Sequence, residues 1–344
     1  MRLMLRMFAG SSRPTAGKTM LTSLTSPAAA IAAAGLAMAA FAAPGTARAD
    51  SQPARITGMA HIAYYVTNLQ KARDYYEGFL GFAEAFDLKN PDGSVRVAFI
   101  KINDHQYIEL YVQPKSTLEN FGWLHDAGFE TNDAKGMRDH LASLGIKVPA
   151  KVKKDATGNL SFDITDPSGF TIEIVQYLPH SMTGRTRGKF MPSTRISDHI
   201  DHIGLLVSSQ PESWKFYSEA FGFTKEGDGS KMAIPGSNDR FELGSEKKKN
   251  PREARYHVKD HICLSNTDVP KMTAEIRASA NASEFPDAIA DTHQLSNGKN
   301  VVEIYDLDHN RIEVMEPSKA GEEQAAGAPD SSEFQIPHAH HGGR

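Results

Sequence analysis

The chain has 344 residues, of which 40% are hydrophobic, and this is enough for two ordinary domains. Its formal net charge of −4 is mild, and the one strongly basic run, residues 247–249, lies next to Pro251 as in a solvated loop, so the charge pattern argues against a nucleic-acid partner. The single cysteine, Cys263, excludes an intrachain disulfide and a cysteine-based metal knot, and we expect it to be a small, buried and inert thiol.

The first 49 residues have the pattern of a secretory signal. Arginines and a lysine but no acid precede Asp50, an Ala-rich apolar run covers residues 28–43, and Ala47-Arg48-Ala49 fits a signal-peptidase site. We therefore expect cleavage after Ala49 and a periplasmic or secreted protein with no retained membrane span. An organelle transit peptide is the alternative, and both interpretations remove residues 1–49 from the fold.

The rest of the chain contains an internal repeat. "HIAYYVTNLQKARDYYEGFLGF" from His61 resembles "HIGLLVSSQPESWKFYSEAFGF" from His202. Each stretch places a histidine in an apolar strand, then a polar break, then a helix that ends at Gly-Phe. Two further stretches, around His125 and His261, follow the same plan, so the chain is predicted to consist of four similar units.

Each unit also ends in an apolar strand that contains a glutamate. The four acids are Glu109, Glu173, Glu242 and Glu313. They follow the histidines of their units by 48, 48, 40 and 52 positions, and the first two spacings are identical. A carboxylate in such a strand is costly to bury unless something compensates its charge, and a metal ion is one compensating partner.

Four units of strand, helix and three strands, each with a His on the first strand and a Glu on the last, resemble the vicinal oxygen chelate superfamily. That superfamily includes glyoxalase I, bleomycin-resistance proteins and extradiol dioxygenases. The resemblance covers about residues 57–316 and includes the turn "DPSG" at residues 166–169. It implies an α+β fold in which four βαβββ modules pair into two curved mixed-sheet cups, with helices on the outer face.

The expected organisation is a first glyoxalase-like domain over residues 57–178, a linker over 179–197 and a second domain over 198–316. A disordered tail over residues 317–344 follows. The sequence leaves open whether modules one and two pair with each other, or whether module one pairs with four and two with three.

Strand alternation indicates which face carries the histidines. In the first strand His61 and Ala63 oppose the apolar Ile62 and Tyr64, so the His and Glu side chains should point into the concave face. Small neighbours such as Ala63 and Ala127 should leave room there for an ion.

Two paired units would bring two histidines and two glutamates together, a set that suits Zn, Ni, Fe or Mn. The candidate ligands of this divalent metal are His61, Glu109, His125 and Glu173 in one pair of units, and His202, Glu242, His261 and Glu313 in the other. The second set departs from the family pattern, since its turn reads "DLDH" and its Glu242 strand is short and polar.

The resemblance implies three classes of function. The first is lyase or isomerase chemistry on a small molecule with vicinal oxygens, in which Glu173 and Glu313 are the candidate proton-shuttling acids. The second is an extradiol-type ring-cleaving dioxygenase. The third is a metal-free protein that binds a small molecule. The substrate in the first two classes is a small molecule, and a homodimer is compatible with all three.

One residue position argues against an orthodox extradiol enzyme. The tyrosine that the resemblance implies for that branch would lie three positions before the Asp of the final turn, where this chain has Asp163 and Glu303. Tyr305 is close in sequence, but we expect it to point to the opposite face.

Overall fold

The computed structural model describes residues 53–113, 124–227, 229–245 and 260–317, which belong to one compact unit. The predicted signal peptide, the basic run 247–249 and the predicted tail beyond residue 317 lie outside these described residues. Among the described residues no helix combines the length and apolarity that crossing a membrane requires.

The first sheet has eight strands in the order β2-β3-β4-β1-β5-β8-β7-β6. Their bounds are β1 Ile56–Val66, β2 Ala83–Lys89, β3 Val95–Lys101, β4 Tyr107–Val112, β5 Leu124–Thr131, β6 Lys153–Lys154, β7 Leu160–Thr165 and β8 Thr171–Gln176.

The second sheet repeats this order as β10-β11-β12-β9-β13-β16-β15-β14. Its strands are β9 Ile200–Val207, β10 Thr224–Glu226, β11 Lys231–Ala233, β12 Arg240–Ser245, β13 His261–Ser265, β14 His293–Gln294, β15 Asn300–Tyr305 and β16 Arg311–Met315.

The strand order resolves the pairing of the modules. In every module the first strand runs parallel to the last one, as in β1 with β4 and β13 with β16. The first strands of modules one and two, β1 and β5, then pair antiparallel, and β9 pairs with β13 in the same way. Modules one and two therefore share one mixed sheet and modules three and four the other. This confirms the α+β fold of four βαβββ modules.

Within the described residues, five α-helices connect the strands. They are α1 Leu69–Arg73, which continues as a π-helical segment over Asp74–Phe79, α2 Ala134–Ser143, α3 Met182–Arg185, α4 Gln210–Phe221 and α5 Val269–Arg277. The side chains of Asn68, Asp133 and Asp268 accept hydrogen bonds from first-turn amides and so begin three of these helices. Helix α4 ends at Gly222, whose φ of 73° lies in the left-handed region that glycine tolerates best.

One hydrophobic core extends across both halves of the chain. Phe129 on β5 packs edge-on against Tyr217 and Phe241 of the second half. Phe285 of the second half packs in turn against Tyr75 and Phe79 of the first. The faces of the two sheets that carry no His or Glu are therefore buried against shared helices and against each other's aromatic residues.

Two buried tyrosines cross between the halves in equivalent positions. Tyr76, in the π-helical segment of the first module, donates to Asp306 Oδ2 at 3.1 Å. Tyr217 in α4 donates to Asp166 Oδ2 at the same distance. Each aspartate begins the turn before a final strand and also accepts backbone amides of its own turn. The turns of one half are thus fixed by helices of the other.

We expect Tyr76→Phe and Tyr217→Phe each to lower the free energy of unfolding by about 1 to 3 kcal/mol, because each leaves a buried carboxylate without one of its donors. Urea unfolding of the purified chain measures the change. The matched control is Tyr75→Phe, because the Tyr75 hydroxyl is buried without a hydrogen-bond partner within the described part of the chain. Equal stability of all three variants would contradict the assigned role of the crossed bonds.

Candidate functional site

The strand register of the first sheet brings four donor side chains together. His61 lies on β1, and its Nδ1 is 3.3 Å from Glu109 Oε1 of β4. Its Nε2 is 3.0 Å from Asp126 Oδ1 of β5 and 3.5 Å from Glu173 Oε2 of β8. We call these four residues the first-half cluster. Three of the four predicted ligands of the first half, His61, Glu109 and Glu173, therefore lie together.

The fourth predicted ligand, His125, lies at the rim of this cluster, and Asp126 takes the position beside His61. The ring of His125 stacks on Tyr111 with centroids 3.9 Å apart, and its Nδ1 is bonded to Asp126 Oδ2. The register of β1 with β5 is regular from His61 to Ala63, whose partner is Asp126, and it becomes irregular beyond Ala63, where His125 has no register partner. A pattern that aligns histidine with histidine cannot detect this irregularity.

The space for the His61 ring comes from Gly128, and Ala127 belongs to the buried core on the opposite face. A Cβ built on Gly128 would lie 2.2 Å from Cε1 of His61. The expectation that Ala127 leaves room in the cup was therefore wrong by one residue. The sequence contains a signal for the correct orientation. Because Ala127 and Phe129 are apolar and belong to the core face, strand alternation places Asp126 and Gly128 on the cup face.

The first-half cluster carries more acid than base. Burial lowers the pKa of His61, but the carboxylates of Glu109 and Asp126 outweigh burial and raise it to about 10. Burial also raises the pKa of Glu109 to about 8 and that of Glu173 to about 7, although the charge of His61 acts against both shifts. One imidazolium faces three carboxyl groups, and the raised pKa values of Glu109 and Glu173 show that the cluster holds protons near neutral pH, which a bound cation would displace.

A cavity of about 220 Å³ adjoins the first-half cluster. Its lining includes four aromatic residues, three acids and one arginine beside His61: Phe99, Tyr107, Tyr111, Tyr177, Glu109, Asp155, Glu173 and Arg96. The space is large enough for a small organic molecule beside the cluster, and its wall combines apolar rings with a few polar groups.

In the second sheet all four predicted ligands come together. His202 Nε2 on β9 is 3.2 Å from His261 Nε2 on β13 and 3.1 Å from Glu242 Oε2 on β12. Donor atoms of His202, His261 and Glu313 all lie within 4.8 Å of one another. We call these four residues the second-half cluster.

The donors of the two clusters occupy corresponding positions in the strand register, and the two sets differ in one residue. Glu109 faces Ala63 across the β1–β4 pair, and Glu242 faces the equivalent Gly204 across β9–β12. Asp126 and His261 likewise face Ala63 and Gly204 on the other side. The first-half cluster therefore offers one imidazole and three carboxylates, and the second-half cluster offers two of each.

Neighbouring groups orient the second-half histidines. Asp201 Oδ1 accepts a hydrogen bond from His202 Nδ1 at 2.8 Å, and this orientation directs Nε2 of His202 at His261 and Glu242. The His261 ring lies on Gly204, where a Cβ would be 2.2 Å from its Cε1. Burial and the nearby Arg311 lower the pKa of His261 to about 4, so at neutral pH this imidazole is uncharged and able to act as a ligand.

Two cations that the sequence did not single out hold the acids of this cluster. Arg311 Nη2 is 3.0 Å from Glu313 Oε2 and 2.6 Å from Glu303 Oε1. Lys231 Nζ is 3.5 Å from Glu242 Oε2. The alternation of β16 gives a signal for Arg311, which lies two positions before Glu313 and so shares its face. Lys231 has no comparable signal, because its strand has only three residues.

Tyr305 lies on the same face as Glu303, contrary to the expectation from the sequence. Its hydroxyl donates to Glu303 Oε2, and Glu303 pairs with Glu313 across β15 and β16. Residues two apart in a strand share a face, so the expected opposite orientation was an error of parity. A phenol is thus connected through Glu303 and Arg311 to Glu313.

Cys263 is fully buried, as expected, and is the register partner of both His202 and Glu313. Burial raises the pKa of its thiol well above the usual value, so it remains a thiol at neutral pH.

The donor chemistry of both clusters fits a divalent cation. In the second-half cluster two imidazole nitrogens converge to 3.2 Å with a carboxylate in reach, and glycine provides the space for one ring. In the first-half cluster donor atoms of His61, Asp126 and Glu173 lie within 4.8 Å of one another. Imidazole and carboxylate are ligands for Fe, Mn, Zn and Ni.

Comparison with known proteins agrees with this arrangement. The family model described as Glyoxalase/Bleomycin resistance protein/Dioxygenase superfamily matches residues 58–174 and again 199–314. No curated protein matches the chain.

Among solved structures, native homoprotocatechuate 2,3-dioxygenase from Arthrobacter globiformis is similar, with a TM-score of 0.56, 16% identity, and coverage of 76% of this chain and 80% of that one. The 2,3-dioxygenase LapB from Pseudomonas sp. KL28 has a TM-score of 0.59, 14% identity, and coverage of 78% and 94%. These likenesses establish the fold. With two matches that together span more than half of its length, the chain belongs to the glyoxalase, bleomycin resistance protein and dioxygenase superfamily.

Proposed function

We propose that the protein is a metal-dependent enzyme whose second-half cluster binds Fe²⁺ and cleaves the ring of a small ortho-diphenol with dioxygen. The observation that carries the proposal is the convergence of His202 Nε2 and His261 Nε2 to 3.2 Å with Glu313 beside them. Two histidines and one carboxylate with open positions are the ligand set of non-haem Fe²⁺ oxygenases.

The similar solved structures support the same chemistry. They include ring-cleaving dioxygenases, one of them a complex of homoprotocatechuate 2,3-dioxygenase from Brevibacterium fuscum with 3,4-dihydroxyphenylacetate. At 14 to 19% identity their substrates do not transfer directly, so we propose only the class of vicinal diphenols for this chain.

The residues around the cluster have separate roles in this proposal. Fe²⁺ held by His202, His261 and Glu313 would supply Lewis acidity and a path for electrons from the diphenol, which is oxidised, to dioxygen, whose two atoms enter the ring-opened product. Asp201 holds the tautomer of His202, and Arg311 holds Glu313. Glu242 lies on the same face as His202 and is placed to accept a proton from a substrate hydroxyl.

A lyase or isomerase remains the second candidate, and Glu242 is the observation that favours it. Two histidines with two acids match the expected ligand set of that branch, and Glu242 Oε2 is only 3.1 Å from His202 Nε2. Consumption of dioxygen separates the two candidates, because a lyase or isomerase needs none.

We also propose a second metal site in the first-half cluster. Its three carboxylates and one imidazole are a harder donor set, which favours Mn²⁺ or Mg²⁺ over Zn²⁺. Its acids supply the attraction when they release their protons to the solvent, and the adjoining cavity gives a small molecule access to the cluster.

Alanine at the two ring-supporting glycines should remove these metals one at a time. In Gly204→Ala the new Cβ would lie within 2.9 Å of three ring atoms of His261, and in Gly128→Ala within 2.6 Å of three ring atoms of His61. We expect two metal ions per native chain after reconstitution and one in each variant, measured by elemental analysis.

The control for these variants is Gly244→Ala, since the nearest atom to its Cβ is a flexible methyl of Leu206 at 3.3 Å. It should retain both ions. Two ions retained in Gly204→Ala and Gly128→Ala would contradict the assignment of both sites, and a native chain with no ion would favour the metal-free binding protein.

Oxygen uptake tests the reaction. The Fe²⁺-reconstituted chain, screened against a panel of catechols, should consume one dioxygen per substrate, and His261→Ala should abolish the uptake. Glu242→Gln should retain the metal but slow turnover by about 10² to 10⁴-fold, the usual contribution of a general base.

His105→Ala serves as the control, because His105 is an exposed partner of Glu130 in the first half. Turnover of a hydroxycarbonyl substrate without oxygen would transfer the assignment to the lyase or isomerase branch.

We further propose export of the protein and removal of residues 1–49. N-terminal sequencing of the chain from its native source should begin at Asp50, and an intact Met1 would contradict export.

A further inference from the structure

Tyr64 lies in the first half of the chain, but its hydroxyl is bonded to two backbone groups of the second half. It is on β1, its side chain is 2% exposed, and it points to the core face, away from His61. Its hydroxyl accepts a hydrogen bond from the amide of Ile262 at 3.1 Å and donates one to the carbonyl of Arg311 at 3.0 Å.

These two backbone groups belong to the strands that carry the second-half ligands. Ile262 directly follows His261 on β13, and Arg311 begins β16 two residues before Glu313. In the parallel register His261 is opposite Arg311, and Ile262 is opposite Ile312. The hydroxyl therefore spans the two strands at the level of the metal ligands.

From this geometry we propose that Tyr64 is a positioning residue for the metal centre of the second half. The proposal rests on the proposed function only in that the second-half cluster must bind a metal. By holding the amide next to His261 and the carbonyl of Arg311 on one oxygen, Tyr64 fixes the separation of β13 and β16. The Arg311 side chain then transmits the same constraint to Glu313 through its 3.0 Å contact.

The second half has no tyrosine at the position equivalent to Tyr64. By the alignment of His61 with His202, the residue equivalent to Tyr64 is Leu205. Leu205 is buried at 2% exposure but has no hydroxyl, so it cannot form the corresponding bridge to the first sheet. The first half thus supports the second-half centre through a bond that the second half does not return.

The expected effect is on metal affinity. A metal site tolerates only small deviations in the separation of its ligands, and loss of an outer group that orients the ligands typically costs about 10 to 100-fold in affinity. We therefore expect Tyr64→Phe to raise the dissociation constant of the second-half metal by about 10 to 100-fold and to leave the first-half site unchanged.

The experiment titrates the full-length apoprotein with Co²⁺ and follows both the dissociation constant and the visible absorption of the bound ion. Three proteins are compared: Gly128→Ala alone, Gly128→Ala with Tyr64→Phe, and Gly128→Ala with Tyr217→Phe. The shared Gly128→Ala change removes the first-half site, so that only the second-half site is measured. Tyr217→Phe is the control because it loses a buried bond between the halves, that to Asp166, without touching β13 or β16.

The proposal predicts a weakened and spectrally altered Co²⁺ site in Tyr64→Phe alone, although both tyrosine variants lose stability in urea. Equal affinity and an identical spectrum in Tyr64→Phe would overturn it. Equal weakening in both variants would also overturn it, because the effect would then be one of general stability. Absence of Co²⁺ binding in the native second half would instead refute the proposed function.

If Tyr64→Phe does not fold, 4-aminophenylalanine in place of Tyr64 keeps a donor to the Arg311 carbonyl. This variant should restore folding and most of the affinity. If the 4-aminophenylalanine variant folds but binds Co²⁺ weakly and with an altered spectrum, the result would count against the bridge.

Discussion

The parallel pairing of the first and last strand within each module is the constraint on which the site depends. It makes neighbours of residues that are 40 to 52 positions apart in sequence, such as His61 and Glu109 or His261 and Glu313. The antiparallel contact between two first strands then joins two such pairs on one face. Because side chains alternate along a strand, the same register also directs every apolar neighbour into the shared core. One hydrogen-bond pattern thus creates the core and the donor cluster together.

The two clusters differ in how their buried acids are compensated. In the second half Arg311 and Lys231 lie beside Glu313 and Glu242, so these acids have fixed cations in addition to the imidazoles. In the first half the position of Arg311 is held by Thr171 and that of Lys231 by Phe99, as the register shows. There His61 faces all three acids, and His125 is bonded to Asp126 as well. The same fold therefore presents a nitrogen-rich cluster with a lysine and an arginine beside its acids and an oxygen-rich cluster with histidines beside its acids, and the two donor sets suit different cations.

The sequence was sufficient for the features that follow from period and repetition. The four modules, the face of each strand and seven of the eight expected donor positions follow from alternating apolar residues and repeated His and Glu. The sequence did not predict features that depend on irregular or very short strands, or on contacts between the two halves of the chain. His125 lies where the pairing of β1 with β5 becomes irregular, beyond Ala63, and Asp126 occupies the place beside His61 that was expected for it. Lys231 lies on a three-residue strand with no pattern of its own, and the bridge from Tyr64 to Ile262 joins residues 198 positions apart.

The contacts between the halves bear on why two cups occur in one chain. A cup of eight strands already contains a complete donor set, so coordination alone does not require the other cup. The halves are nevertheless joined by buried polar bonds as well as by the common core, and these bonds end at the turns before the final strands and at the strands that carry ligands. A buried hydrogen bond is directional, whereas apolar packing is not, so it fixes the position of a strand more narrowly than the core does. The first half is therefore part of the framework that holds the strands of the second-half cluster.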